Sequence, residues 1–362
     1  DHDIKKYRLF YYNADGKLVE DLTRSNVRIS HPFFTELVDQ CTQYVMSGDR
    51  FVVADDQKLQ TYMDNYFNNN DSFISELSDC ITDSQVKGWA YMYAYKNAKD
   101  KMAFAAADAL DVIEVREKDA DDVCKYTIYH YIERIDKGRK IIKRIQVWDE
   151  KETWFYTQVD GGDIQLDESK QVNPRPHVLY TQGDKKDATY FDGFGYIPFI
   201  RLDNNKKQIS SLKPVKPLID DYDLMASSLS NNLIDFDAPI YAIKGFEGDN
   251  LDELQTNLKT KKIVGLGEEG GIDIKTVDVP YQARQAKLEL DEKNIYRFGM
   301  GLNTAGLKDT SATTNIAIKA AYSLLDLKAK KIEKNLKKML RKLVEIVVDE
   351  INNCLLYTSP SP

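Results

Sequence analysis

The sequence predicts an α+β protein, on three observations. Apolar residues recur at helical steps of three and four over most of residues 26–110. The same period returns from residue 217 onward and is strongest in the last long segment. Between these blocks, residues 126–159 are dense in aromatic and β-branched side chains broken by a polar turn, which is the pattern of an antiparallel sheet. The chain has 362 residues, 42% of them hydrophobic, enough to bury a real core in two or three domains of about 100–200 residues each. With 18 Gly, 10 Pro and 4 Cys, collagen-like, disulfide-built and globally disordered classes are excluded. A formal net charge of -8 argues against gripping nucleic acid through overall charge, though not against loose contact with DNA that slides. Apolar runs such as that around Leu343 and Val347 are broken by charge well before the ~20 residues a bilayer helix needs.

In the first helical block, Phe34, Leu37, Val38 and Cys41 make one stripe, and Phe73, Leu77, Cys80 and Ile81 a second. Strands are expected at residues 126–129, 145–148 and 154–156, with Asp149 to Glu152 as the turn between the last two. Residues 160–190 are polar, carry Gly161, Gly162, Pro174 and Pro176, and are expected to form a long loop or excursion. From Pro217, Leu218, Tyr222, Met225, Leu229, Leu233 and Phe236 form one helical face that ends near Pro239, while Asp220, Asp221, Asp223, Ser227, Asn231 and Asp235 occupy other faces. Residues 262–266 and 272–274 flank a Gly-rich turn and are expected to form a strand, turn and strand. A helix is expected over residues 281–298, then a small polar stretch, 301–314. The last helix carries Leu325, Ala329, Ile332, Leu336, Leu340, Leu343 and Val347 on one stripe and a basic flank from Lys328 to Lys342.

Both termini are unusual. The chain opens at Asp1 with no Met and no basic-then-apolar leader, as though starting inside a longer gene. Residues 354–362 end the helical pattern abruptly and resemble the translation of an adapter used in sequencing libraries, so they are set aside as an artefact. The remaining cysteines, Cys41, Cys80 and Cys124, are scattered, with no CxxC and no close His, as expected of reduced thiols in a cytoplasm.

Motifs that would carry chemistry fail on context. Residues 265–270 fit G-x-G-x-x-G, but a strand-like segment follows where a phosphate-binding helix should begin, and Glu268 and Glu269 would repel a pyrophosphate. Residues 301–308 approximate a phosphate loop, yet Leu307 separates Gly306 from Lys308 and the preceding element is helical. His2, His31, His130 and His177 have no metal-ligand spacing, and no Gly-x-Ser-x-Gly elbow is present. No catalytic, cofactor-binding or metal-ligating residue is assigned, and the expectation is a protein that is not an enzyme and uses no cofactor. The alternatives are a nucleotide-binding enzyme using residues 265–270 or 301–308, and a generic structural ring.

Several ordered segments nonetheless resemble one family. Asn26 to Phe34 with Leu37 to Gln40, Gly193 to Ile200, Asn204-Asn205, Leu218 to Asp223, Ile295 to Asn303, and Asn315 to Lys319 with Tyr322 and Leu325 to Ala329 are similar to the portal proteins of long-tailed bacteriophages, in order along nearly the whole chain. One departure is Asn315, where that family often has Gly.

The resemblance implies an α+β portal fold, divided as follows along the sequence. Residues 1–212 would be a wing, helical with an antiparallel sheet at about 110–160. Residues 213–240 would be a stem helix, 241–280 a small β-containing clip, and 281–300 the second stem helix. Residues 301–314 would be a tunnel loop, and 315–353 a long helix toward a missing crown. It further implies a dodecameric ring of this chain at one capsid vertex, through which double-stranded DNA passes without sequence preference during packaging and ejection. The implied partners are the terminase large subunit, a head-completion or adaptor protein, and the scaffold and major capsid proteins, with no membrane. The particle would be assembled in the host cytoplasm and remain in the virion. On that template the DNA-facing loop residues are Asn303, Thr304, Lys308, Thr310, Ser311 and Thr313. Asp220, Asp221, Asp223 and Asp235 would form an acidic, low-friction stem wall, and Gly267, Glu268, Glu269 and Gly270 the docking tip of the clip.

Overall fold

The computed structural model describes residues 3–22, 24–48, 50–97, 101–117, 123–181, 189–236, 240–244, 271–275, 280–304 and 315–358. The chain begins with a hairpin, β1 (Phe10–Tyr12) and β2 (Leu18–Glu20), followed by α1 (Phe33–Met46), α2 (Gln57–Met63) and α3 (Asp71–Lys87). Then come β3 (Trp89–Lys96), β4 (Met102–Ala107), β5 (Val112–Arg116), β6 (Cys124–Ile135), β7 (Lys140–Trp148), β8 (Glu152–Val159) and β9 (Ile164–Leu166). The short strands β10 (Arg175–Pro176), β11 (Val178–Thr181) and β12 (Thr189–Asp192) precede β13 (Phe199–Asp203). Last are α4 (Lys216–Phe236), β14 (Ile240–Lys244), β15 (Gly271–Lys275), α5 (Tyr281–Gly299) and α6 (Asn315–Thr358). Among the described residues all sheet pairings are antiparallel, and the long helices cluster apart from them in sequence, so the protein is α+β as predicted. Two compact units result: residues 1–33 with 216–295, and residues 34–215 with 296–362.

The second unit holds the main core. Helix α3 starts where the Asn70 side chain accepts the Phe73 N–H and stops at Gly88, whose φ of 99° only glycine adopts readily. A Cβ on Gly88 would lie 2.4 Å from the Gln208 carbonyl oxygen, so glycine is required for space as well. The predicted stripe Phe73, Leu77, Cys80 and Ile81 is fully buried, as are Leu325, Ala329, Ile332, Leu336, Leu340, Leu343 and Val347 of α6.

Three expectations need correction. The helical reading of residues 26–110 fails after Gly88, because β3 and β4 are the centre and edge of a three-stranded sheet ordered β13-β3-β4. Alternation in Trp89 to Tyr95 puts Ala90, Met92 and Ala94 against the helices, while Tyr93 stacks on Phe199 with ring centroids 5.1 Å apart. The alanine-rich β4 has helical propensity, which burial against α3 and β3 overrides. The expected long loop at 160–190 contains β9 and β10, which extend the six-stranded sheet, and β11, which pairs with β12. Helix α6, moreover, continues without interruption to Thr358, so residues 354–358 do not end it as their composition suggests.

His177 packs in an aromatic column. Trp148, His177, Phe194 and Tyr196 follow one another at centroid separations of 5.3, 4.8 and 5.8 Å, nearly parallel. The His177 ring is buried, and burial pushes its pKa down to about 4 against the raising effects of Asp149 and the Glu152 backbone. The unfolded chain takes up this proton near 6.5 and the folded chain only near 4, so stability falls as the pH drops across that window and levels off below it. The loss is at most about 3.5 kcal/mol. His177→Phe should preserve the column and remove this part of the acid sensitivity; identical melting-temperature profiles from pH 7 to 4 in both proteins would place the sensitivity elsewhere.

Candidate functional site

Within the first unit, the chain before α1 runs extended along α4. Four backbone N–H groups donate to four side chains of the helix: Ser25 to Asp235 Oδ1 at 3.2 Å, Val27 to Asn231 Oδ1 at 2.7 Å, Ile29 to Ser227 Oγ at 2.9 Å and His31 to Asp223 Oδ1 at 3.0 Å. Every second residue of the extended segment meets every fourth residue of the helix, in opposite chain directions. The match is metric: two extended residues advance about 6.6 Å and four helical residues about 6 Å. The ladder ends at His31, whose Nδ1 also lies 2.7 Å from Asp223 Oδ1 and whose ring meets Tyr222 edge-on at 4.8 Å. Phe33 packs edge-on against the same tyrosine at 4.9 Å.

The polar ladder inverts the expected burial of α4. Asp223 and Ser227 are buried at 6% and 1% exposure, whereas Leu233 of the apolar stripe is 52% exposed. An extended backbone along a helix needs acceptors, and only the polar face supplies them. Asp223 therefore serves the ladder from a buried position, while Asp235 takes the Ser25 N–H from an exposed one. Asp220 accepts from Lys216 at 2.6 Å, and Asp221 from Lys287 of α5 at 2.5 Å. Lys287 also bonds Asp291; burial works against its charge, but the two carboxylates outweigh it and its pKa is raised. Burial raises the Tyr222 phenol, with Glu292, Asp223 and Asp291 adding to the effect.

Within the second unit, the start of the stretch after α5 is fixed by α1. The Gln40 side chain accepts the Leu302 N–H at 2.8 Å and donates to the Leu302 carbonyl at 3.0 Å, holding both polar groups of one peptide position. Tyr296 donates its hydroxyl to Glu36 at 2.6 Å. Cβ atoms on Gly299 and Gly301 would lie 2.5 and 2.2 Å from the Leu37 methyl groups. Gly301 is thus selected for close approach, and the left-handed residue at this bend is Met300, with φ 56°. Lys328 of α6 donates to the Leu37 carbonyl at 3.3 Å, and its burial pushes its pKa down. It leaves the expected basic flank, whose Lys330, Lys331, Lys334, Lys337, Lys338, Arg341 and Lys342 are exposed.

Of the predicted loop residues, Asn303 is half-buried and Thr304 exposed at this fixed base; Lys308, Thr310, Ser311 and Thr313 lie outside the described residues. So do Gly267, Glu268, Glu269 and Gly270, and residues 262–266. Gly271 to Lys275 is a strand paired with Ile240 to Lys244, so the G-x-G-x-x-G run leads into a strand. Helix α5, where a phosphate loop requires a strand, precedes residue 301. Among the described residues there is no metal-binding group of His, Cys, Asp and Glu, and no helix is long and apolar enough to cross a membrane. Sequence reasoning missed the Gln40 clamp and the ladder; the available signal was acceptors at 223, 227, 231 and 235, four apart.

Comparison with known proteins gives a family match described as phage portal protein, SPP1 Gp6-like, over residues 1–359. The portal protein of Bacillus phage SPP1 is 27% identical over 342 residues, 94% of this chain and 66% of that protein. The portal protein of Clostridium phage phiCD119 is 23% identical over 370 residues, covering 96% of this chain and 78% of its own length. The chain therefore spans just under two thirds of the first of these relatives.

Proposed function

Because the chain belongs to the SPP1 Gp6-like family of phage portal proteins, structural head-to-tail connectors of the virion, we propose that it forms the ring through which double-stranded DNA enters and leaves the capsid. The observation that carries this reading is the family match across residues 1–359. In this reading the ring is dodecameric and sits at one capsid vertex. The terminase large subunit docks on it during packaging, a head-completion or adaptor protein follows, and scaffold and major capsid proteins surround it in a particle assembled in the host cytoplasm.

Residues 1–212 act as the wing, α4 and α5 as the paired stem, residues 241–280 as the clip with Gly267 to Gly270 at its docking tip, and α6 as the helix toward the crown. Asp220, Asp221 and Asp235 face the channel as a stem wall, while buried Asp223 fastens the wing's entry segment to the stem helix. The pairing of Asp220 and Asp221 with lysines moderates the wall's negative charge, which suits DNA that must slide without adhering. The Gln40 clamp gives the tunnel loop a fixed root, from which Asn303, Thr304, Lys308, Thr310, Ser311 and Thr313 meet the duplex backbone.

Lys308→Ala in the phage tests the loop assignment. Ring assembly is expected to persist while packaging rate or packaged DNA length changes, since the loop loses its one phosphate-pairing side chain. Normal packaging together with failed ring assembly would instead put the loop at a subunit interface.

A further inference from the structure

Enclosing an ammonium is costly unless an opposite charge or a full set of acceptors replaces the water it loses. Lys328 of α6 is 8% exposed, and its hydrogen-bond partner among the described residues is a single carbonyl, that of Leu37 at 3.3 Å. An ammonium carries three donors, so two are left over. Burial pushes its pKa down, and the neighbour that works against this is the Cys41 thiol and not any described carboxylate.

Lys328 lines a cavity of about 330 Å³ together with Asn204, Ser211, Phe298, Met300, Lys331 and Ile332, all of the second unit. Asn204 commits both amide protons within its own loop, to the Ile209 carbonyl and the Ser211 hydroxyl oxygen. The Ser211 hydroxyl proton and the exposed Lys331 ammonium have no acceptor among the described residues. Phe298, Met300 and Ile332 make the rest of the wall apolar, which strengthens any ionic contact made beside them. We propose that this cavity binds a single phosphate group, held by Lys328, Lys331 and Ser211.

A phosphate suits these donors better than a carboxylate does. Lysines act as point charges on phosphate oxygens, whereas a planar carboxylate is matched by the arginine fork, and no arginine is among the described lining residues. A nucleic-acid duplex is too wide to enter, so the ligand is free phosphate or a small phosphomonoester. Bound there, it ties Met300, at the left-handed bend before the Gln40 clamp, to α6. The inference does not rest on the ring reading.

The test titrates the full chain with inorganic phosphate at constant ionic strength, followed by phosphorus NMR and thermal unfolding. The wild type is expected to broaden the phosphate resonance and to melt at a higher temperature as phosphate rises. Lys328→Met, which keeps the chain length without the charge, should lose both responses. Lys331→Met, at an exposed position, should weaken phosphate binding about fivefold while melting like the wild type in phosphate-free buffer. Phenyl phosphate separates the two sources: tighter binding than inorganic phosphate assigns the site to a phosphomonoester whose organic part lies on the apolar wall, and equal binding assigns it to free phosphate. Equal responses in the wild type and Lys328→Met would reveal a general salt effect and overturn the site, and acetate matching phosphate would overturn the choice of ligand. No response in the wild type would overturn the proposal as well. A response that appears only in Asp309→Asn would overturn it by showing that the charge of Lys328 is met by that carboxylate of the same chain, which lies outside the described residues.

Discussion

Asp223→Ala should release the extended entry segment from α4. It removes one carboxylate that accepts both the His31 N–H and the His31 ring, in a site only 6% exposed, so two donors lose their partner together. Bonds to a charged acceptor in such a site are worth about 1.5–3 kcal/mol each, and an unsatisfied buried donor costs about 1–3 kcal/mol. A loss of about 2–4 kcal/mol is therefore expected in urea unfolding, with hydrogen-exchange protection lost at Ile29 and His31. Asp223→Asn, which keeps an acceptor oxygen for the backbone, should recover the exchange protection but only part of the stability. Wild-type protection in Asp223→Ala would mean that Ser227, Asn231 and Asp235 hold the segment without it.

Gln40→Ala should have the second largest effect. Gln40 is the partner of both the N–H and the carbonyl of Leu302, whose side chain is buried, so the substitution leaves two backbone groups without a protein partner. The expected cost is about 2–3 kcal/mol, and exchange at Leu302 should accelerate to the rate of an open loop. In a phage, the variant should still form rings yet package DNA less efficiently than Lys308→Ala, because the loop's root moves and not one side chain. A protein with unchanged stability and normal exchange at Leu302 would contradict the clamp.

Legibility differed between periodic and aperiodic parts of the chain. The stripe from Leu325 to Val347 was readable because a long helix on a core must repeat its apolar residues at its own period, and all seven named positions are buried. The antiparallel sheet was readable from its β-branched and aromatic content. β3 and β4 were not, since the alanines of Met102 to Ala107 favour helix locally and only contacts distant in sequence make them strands. The ladder on α4 was hidden for a different reason. Asp223, Ser227, Asn231 and Asp235 look like a solvated face, and nothing local reveals that residues 25–31 will lie on it. Gln40 is likewise an ordinary half-buried helix residue until the chain returns 262 positions later.

Electron microscopy of the purified full chain separates a portal from every other reading. A portal assembly should appear as closed rings with rotational symmetry and an open axial hole that admits duplex DNA. A persistent monomer, or a closed particle without an axial hole, would contradict the proposal.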